Sequence, residues 1–141
     1  MCVGDRTGGS NPPLSALMLI EVSIGEFIDK ISILWIKLNR IQDEKKLQNI
    51  QLEYDYLISQ VNSVSESILN SPDYEELVKA NEIIWDCEEN FRSIEKTELF
   101  DERFINTART IHSTNDLRAD IKKRINLKYN SSFIEEKSHR N

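Results

Sequence analysis

The sequence predicts an all-α fold, an antiparallel helical bundle of four or five helices, and three observations carry that reading. Ile24, Phe27, Ile31, Leu34, Leu38 and Ile41 recur three or four residues apart, and Leu47, Ile50, Tyr54, Leu57, Val61, Val64 and Ile68 repeat the pattern. No Gly or Pro interrupts residues 26–71. A chain of 141 residues, 39% apolar and 30% charged, is long enough to bury a core without staples. None of this fixes an activity.

Residues 1–17 differ from the rest. Two of the three prolines and three of the four glycines fall here, and periodic apolar residues are nearly absent. The basic start and apolar run of a signal peptide are missing. Gly8-Gly9-Ser10-Asn11-Pro12-Pro13 can be encoded by bases that form a G-rich stem, a TTCGAAT loop and a matching C-rich stem, the T-arm of a transfer RNA gene. The leader is therefore expected to be non-native, read from an upstream tRNA gene with Met18 as the natural start; a disordered native tail is the alternative. A single helical domain is expected over 18–141.

Leu19-Ile20-Glu21-Val22 is a short β-prone run. Ser23-Ile24-Gly25-Glu26 then matches a capping box, so the first helix starts near Ser23. Its ladder loses phase after Ile41, because continuing it would bury Lys45 and Gln48. A turn is expected within 42–46, making the first two helices an antiparallel hairpin, with one long phase-shifted helix as the alternative. The second helix is expected to reach Leu69, where Asn70-Ser71-Pro72 stops it. Ser71 can cap the third helix with Pro72 in its first turn, and Asp73, Glu75 and Glu76 suit the positive end of its dipole. That helix turns Leu77, Ala80, Ile84, Cys87, Phe91 and Ile94 inward, and a loop follows at 96–98. A fourth helix over 100–112 buries Phe104, Ala108 and Ile111. Ser113-Thr114-Asn115-Asp116 reads as the cap of a fifth, which carries Leu117, Ile121 and Ile125. Asn130-Ser131-Ser132 ends it. The β-prone runs at 19–22 and 133–135 would each be an orphan edge alone, so they are expected to pair as a small two-stranded ribbon.

Composition excludes several functions. A net charge of −6 and a pI near 5.0 argue against nucleic-acid or anionic-membrane partners. Cys87 lies in an apolar stripe and its only possible partner is Cys2, which points to a reducing, cytoplasmic setting. Glu136-Lys137-Ser138-His139 has the Glu-x-x-His spacing of di-iron bundles once, where two copies are needed, and His112 lacks a carboxylate three residues before it. No metal and no cofactor are expected. No glycine-framed serine, Cys-His pair or Gly-rich phosphate loop is present, so no catalytic residue is assigned. Helical chorismate mutases offer Ile28-Asp29 and Arg40 as a partial match, but Gln51 stands where a cation is required. The helix-turn-helix reading fails at His112, where the turn wants glycine.

Charge distribution remains. Glu26, Lys30, Lys37 and Arg40 form a polar stripe on the first helix with Asp29 beside it. The last helix concentrates Arg118, Lys122, Lys123, Arg124 and Lys128. Solvated surface with local ion pairs is the simple reading. The functional reading is a site where the stripes meet, built from Asp29, Lys30, Lys37, Arg40, Asn115, Asp116, Arg118 and Lys122 and taking a phosphate- or carboxylate-bearing small molecule.

Residues 22–31, Thr114-Asn115-Asp116-Leu117-Arg118-Ala119 and Glu135-Glu136-Lys137-Ser138 together resemble a family of small bacterial and phage proteins of unknown function. The likeness spans nearly all of 18–138, with departures at Trp35 and His139. It implies no activity or cofactor. It does imply one recurring polar constellation of Asp29, Lys30, Asn115, Asp116, Arg118, Glu135, Glu136 and Lys137.

Two function classes follow. The leading one is a non-enzymatic interaction or oligomerisation module, favoured by ladders of coiled-coil type; the other is a bundle that binds or transforms an anionic small molecule. A homodimer is expected through the first helix. There Ile28 and Trp35 widen the seam and Ile33 and Ile36 make residues 31–38 apolar nearly all round.

Overall fold

The computed structural model describes residues 16–138. They form four α-helices: α1 (Ile24–Arg40), α2 (Glu44–Gln60), α3 (Pro72–Thr97) and α4 (Glu102–Lys128). Short 3₁₀ turns at Val61–Ser63 and Ile68–Asn70 lead from α2 to α3. Asp43 caps α2 within the turn expected between the first two helices, and Ser71 caps α3 with Pro72 in its first turn, as the sequence implies. α3 and α4 run antiparallel: Arg124 near the end of α4 pairs with Asp73 and Glu76 at the start of α3. At the far end Phe91 meets Phe104 edge-on at 5.4 Å. α1 packs on both of these helices and on α2. Ile28 and Ile31 of α1, Leu77 of α3 and Ile121 and Ile125 of α4 are fully buried together, with Val61 and Ile68 closing the cluster. α2 buries no residue completely; Tyr54, Leu57 and Ile58 only lean on that core.

The start of α1 locks the bundle. A helix leaves its first N–H groups without intrahelical partners, and here every one of them is taken. Ile24 N–H donates to Ser131 Oγ at 3.1 Å, Gly25 N–H to Asn126 Oδ1 at 2.6 Å, and Glu26 N–H to Ser23 Oγ at 3.1 Å. Phe27 N–H returns to the Ser23 carbonyl. Two of these four acceptors therefore come from the last turn of α4 and the segment just after it. Only half of the expected capping box forms, because the Glu26 carboxylate turns away from Ser23 to Lys122. Gly25 permits the approach: a Cβ there would stand 2.6 Å from the Lys122 carbonyl oxygen and 2.9 Å from Asn126 Oδ1.

Three sequence expectations require correction. The fourth and fifth helices are one continuous helix, α4. Ser113 and its neighbours do not cap a new helix; Thr110 and Ser113 hydroxyls bond back to the carbonyls of Asn106 and Thr110 in the same helix, and no Gly or Pro breaks it. The second helix stops at Gln60, not Leu69. Ser59 and Ser63 bond back to Tyr56 and Gln60 carbonyls, and Val61 and Ile68 reach the core from 3₁₀ turns instead. No strand occurs among the described residues, so the terminal ribbon is not formed within the chain. Of the residues expected at a helix-1 contact, Ile36 is only 2% exposed within its own chain, Ile33 is half-buried and Trp35, at 38%, is the most open. The leader, Cys2 and His139 expectations fall mainly on residues 1–15 and 139–141, outside the described residues.

Gly25→Ala tests the α1–α4 crossing. Alanine gains about 1 kcal/mol in helix propensity, but the nearest obstacle is backbone and cannot swing aside. A net loss of about 1–3 kcal/mol is expected, read as a lower urea midpoint. An unchanged or higher midpoint would show that the crossing opens without cost.

Candidate functional site

Beyond Gly25, one turn along α1, Asp29 points into the junction of α1, α3 and α4 and is 1% exposed. A carboxylate taken out of water is costly unless its oxygens are matched. Arg118 of α4 meets it bidentately, Nε to Oδ1 at 2.9 Å and Nη2 to Oδ2 at 2.5 Å. Asn81 of α3 donates to Oδ1 at 2.9 Å and also to Ser32 Oγ at 2.7 Å, while Ser32 donates to the Asp29 backbone carbonyl. Donating to the Asp29 carboxylate raises the Arg118 pKa further, against its partial burial.

Lys122 lies one turn further along α4, 2.5 Å from Glu26, 3.9 Å from Asp29 and 3.6 Å from Glu135. The hydrogen bond from Lys122 is the main cause that holds the Glu26 carboxyl below its ordinary value of 4.5. The segment after α4 crosses this face: Glu136 pairs with Lys123 at 3.1 Å and Lys137 with Asp116 at 3.8 Å. Asn115, Arg118, Lys122, Lys123 and Lys137 line a cleft of about 120 Å³ there, together with Glu135 and Glu136. Five carboxylates (Glu26, Asp29, Asp116, Glu135 and Glu136) thus meet four cations (Arg118, Lys122, Lys123 and Lys137).

The eight residues singled out from the sequence divide accordingly. Asp29, Asn115, Asp116, Arg118 and Lys122 come together. Lys30 instead pairs with Glu53 of α2 at 2.8 Å, and Arg40 with Asp86 of α3 at 2.9 Å. Lys37 is half-buried on α1 and lines neither cleft.

A second cleft, about 240 Å³, opens on the other side of Arg118 between α1 and α3. Ile33, Ile36, Ile84 and Trp85 wall it, Asn81 and Arg118 form its inner end, and Glu88, Glu89 and Arg92 stand along the α3 rim. None of the α3 residues was marked as functional from the sequence. Asn81 carried a usable signal, since a polar residue four after Leu77 and three before Ile84 falls inside the apolar stripe. Trp85, Glu88 and Glu89 carried none, because an aromatic beside two exposed acids reads as ordinary helix surface. Nearby, burial and then the charges of Asp86 and Glu88 push the Cys87 thiol pKa up.

Among the described residues no group of three or more His, Cys, Asp or Glu is placed to hold a metal ion. No helix there is long and apolar enough to cross a membrane. A model of a family of unknown function (DUF6165) matches residues 18–141. No curated protein and no solved structure matches the chain.

Two outcomes follow for the buried network. Arg118→Met leaves the Asp29 charge stranded and should cost about 3–5 kcal/mol, whereas Asp29→Leu combined with Arg118→Met should recover most of that loss; additive single effects in chemical denaturation would show that the pair is not coupled. Glu26 fixes a pH window. Because its folded pKa is depressed, its contribution is present above 4.5 and lost as pH falls through the lower folded value. Denaturation midpoints should therefore fall below that pH more steeply in the wild type than in Glu26→Gln, and identical slopes would remove Glu26 from the account.

Proposed function

The chain belongs to this family of unknown function, and from that premise we propose that it is a non-enzymatic interaction module whose α1–α3 cleft receives a cationic group on an apolar stem, such as a Lys or Arg side chain of a basic partner peptide. The observation that carries the reading is the placing of Trp85 with Glu88 and Glu89, one turn further along α3, on one rim of an apolar cleft. An indole face attracts an ammonium or guanidinium, and the two carboxylates supply the countercharge. Ile33, Ile36 and Ile84 suit the aliphatic stem that such side chains bury while their heads stay wet. The inner end does not oppose the cation strongly, because Arg118 is already neutralised by Asp29. The chain's net charge of −6 favours encounter with a basic partner.

A second reading, capture of a phosphate or carboxylate, rests on the 120 Å³ cleft, where Lys122 and Lys123 already hold the chain's own Glu135 and Glu136. The surplus of carboxylates around it weighs against that reading.

In a Trp35→Phe background, Trp85 reports alone. A short peptide alternating Leu with Lys and Arg should shift its fluorescence saturably, and the same peptide with Glu in place of the cations should not. Glu88→Gln with Glu89→Gln should weaken binding about tenfold, close to 1.4 kcal/mol, and added salt should weaken it in the wild type. No response to the basic peptide, or equal binding of the acidic one, would overturn the proposal. Binding of inorganic phosphate that Lys123→Ala abolishes would favour the second reading.

A further inference from the structure

We infer that two copies of this chain associate through the apolar end formed by residues 17–22 and 133–134, each covering the other. Met18, Leu19 and Ile20 are 88%, 76% and 74% exposed, and Val22, Phe133 and Ile134 are also open. Among the other exposed apolar residues of the described surface, Leu52, Ile83 and Leu127 stand singly on different helices, which soluble proteins tolerate, and Leu99 and Phe100 form a smaller pair between α3 and α4. These six are not spread. Ile24 N–H donates to Ser131 Oγ and Ser131 Oγ donates to the Phe133 carbonyl, so the two segments leave the bundle from one point.

Area and register favour a second copy as the occupant. At their observed exposures the six side chains present roughly 650 Å² per copy, the most that the contact can bury, against the ~800 Å² per partner of a standard interface. Residues 17–22 belong to neither helix nor strand. An antiparallel pairing centred on Ile20 sets Met18 opposite the partner's Val22 and Leu19 opposite the partner's Glu21. One face of that ribbon then carries six apolar side chains, and no carboxylate faces another. The contact is isologous, so it closes at two copies. The exposed face needing cover is this end of the bundle; α1 buries Ile36 by itself.

Light scattering on the full chain at micromolar concentration should give a dimer mass. Ile20→Lys should give a monomer with unchanged helix content by circular dichroism, since residue 20 lies outside the core, and its melt should no longer depend on protein concentration. In a Cys2→Ser background, Ile20→Cys should cross-link into a covalent dimer on mild oxidation, whereas Trp35→Cys should not. A monomeric wild type, a dimer that survives Ile20→Lys, or cross-linking through position 35 alone would overturn the inference.

Discussion

A carboxylate with almost no contact with water dictates how three helices meet. Asp29 is stable in the interior only because α4 brings Arg118 and α3 brings Asn81 to the same two oxygens. The net gain from such a pair is small, since the desolvation of both charges offsets most of their attraction. Its larger effect is on alternatives. Rotating α1 or sliding it by one residue would bury the charge without partners, at a cost of several kcal/mol. Everything around it fits that constraint: Gly25 lets α1 come close enough for Arg118 to reach, and Asn126 and Ser131 fix the height at which α1 begins.

The polar constellation implied by the family resemblance acquires a physical meaning here. Asp29, Asn115, Asp116, Arg118, Glu135, Glu136 and Lys137 converge on one face, with Lys30 alone elsewhere. Their charges are mutually satisfied, which suits a fastening of the last segment onto α4 better than a receptor for free anions. The unsatisfied chemistry lies on either side of it, in the Trp85 cleft and at the apolar end of the bundle.

Helix identity and the caps at Ser23 and Ser71-Pro72 were legible because they depend on neighbours within a few residues. The two errors of helix extent share one cause. Periodicity reports which residues face the core, but not whether the backbone between them stays α-helical. Val61 and Ile68 keep the phase of α2 and reach the core, yet serine hydroxyls compete for carbonyls there and the helix gives way to 3₁₀ turns. In α4 the opposite occurred. Phe104, Ala108, Ile111, Thr114, Arg118, Ile121 and Ile125 keep helical spacing straight through the residues read as a cap, and that unbroken phase was the better signal. The site was half legible: Asp29 and Arg118 stand out as charges beside apolar stripes, whereas their union through Asn81 depends on tertiary geometry.

α1 starts beside Asn126 and spans about 25 Å, while α3 and α4 each run for about 40 Å. The last turns of α3 and the first of α4 therefore project past α1 as a two-helix tip, tied by the edge-on rings of Phe91, Phe100 and Phe104. At its apex Glu98 takes a left-handed conformation, φ 55°, which glycine would adopt more cheaply. The tip can thus open locally while the Asp29 junction stays closed. Its amides should exchange with solvent through partial unzipping that leaves Asp29 and Arg118 joined, so that the molecule has two levels of cooperativity along a single pair of helices.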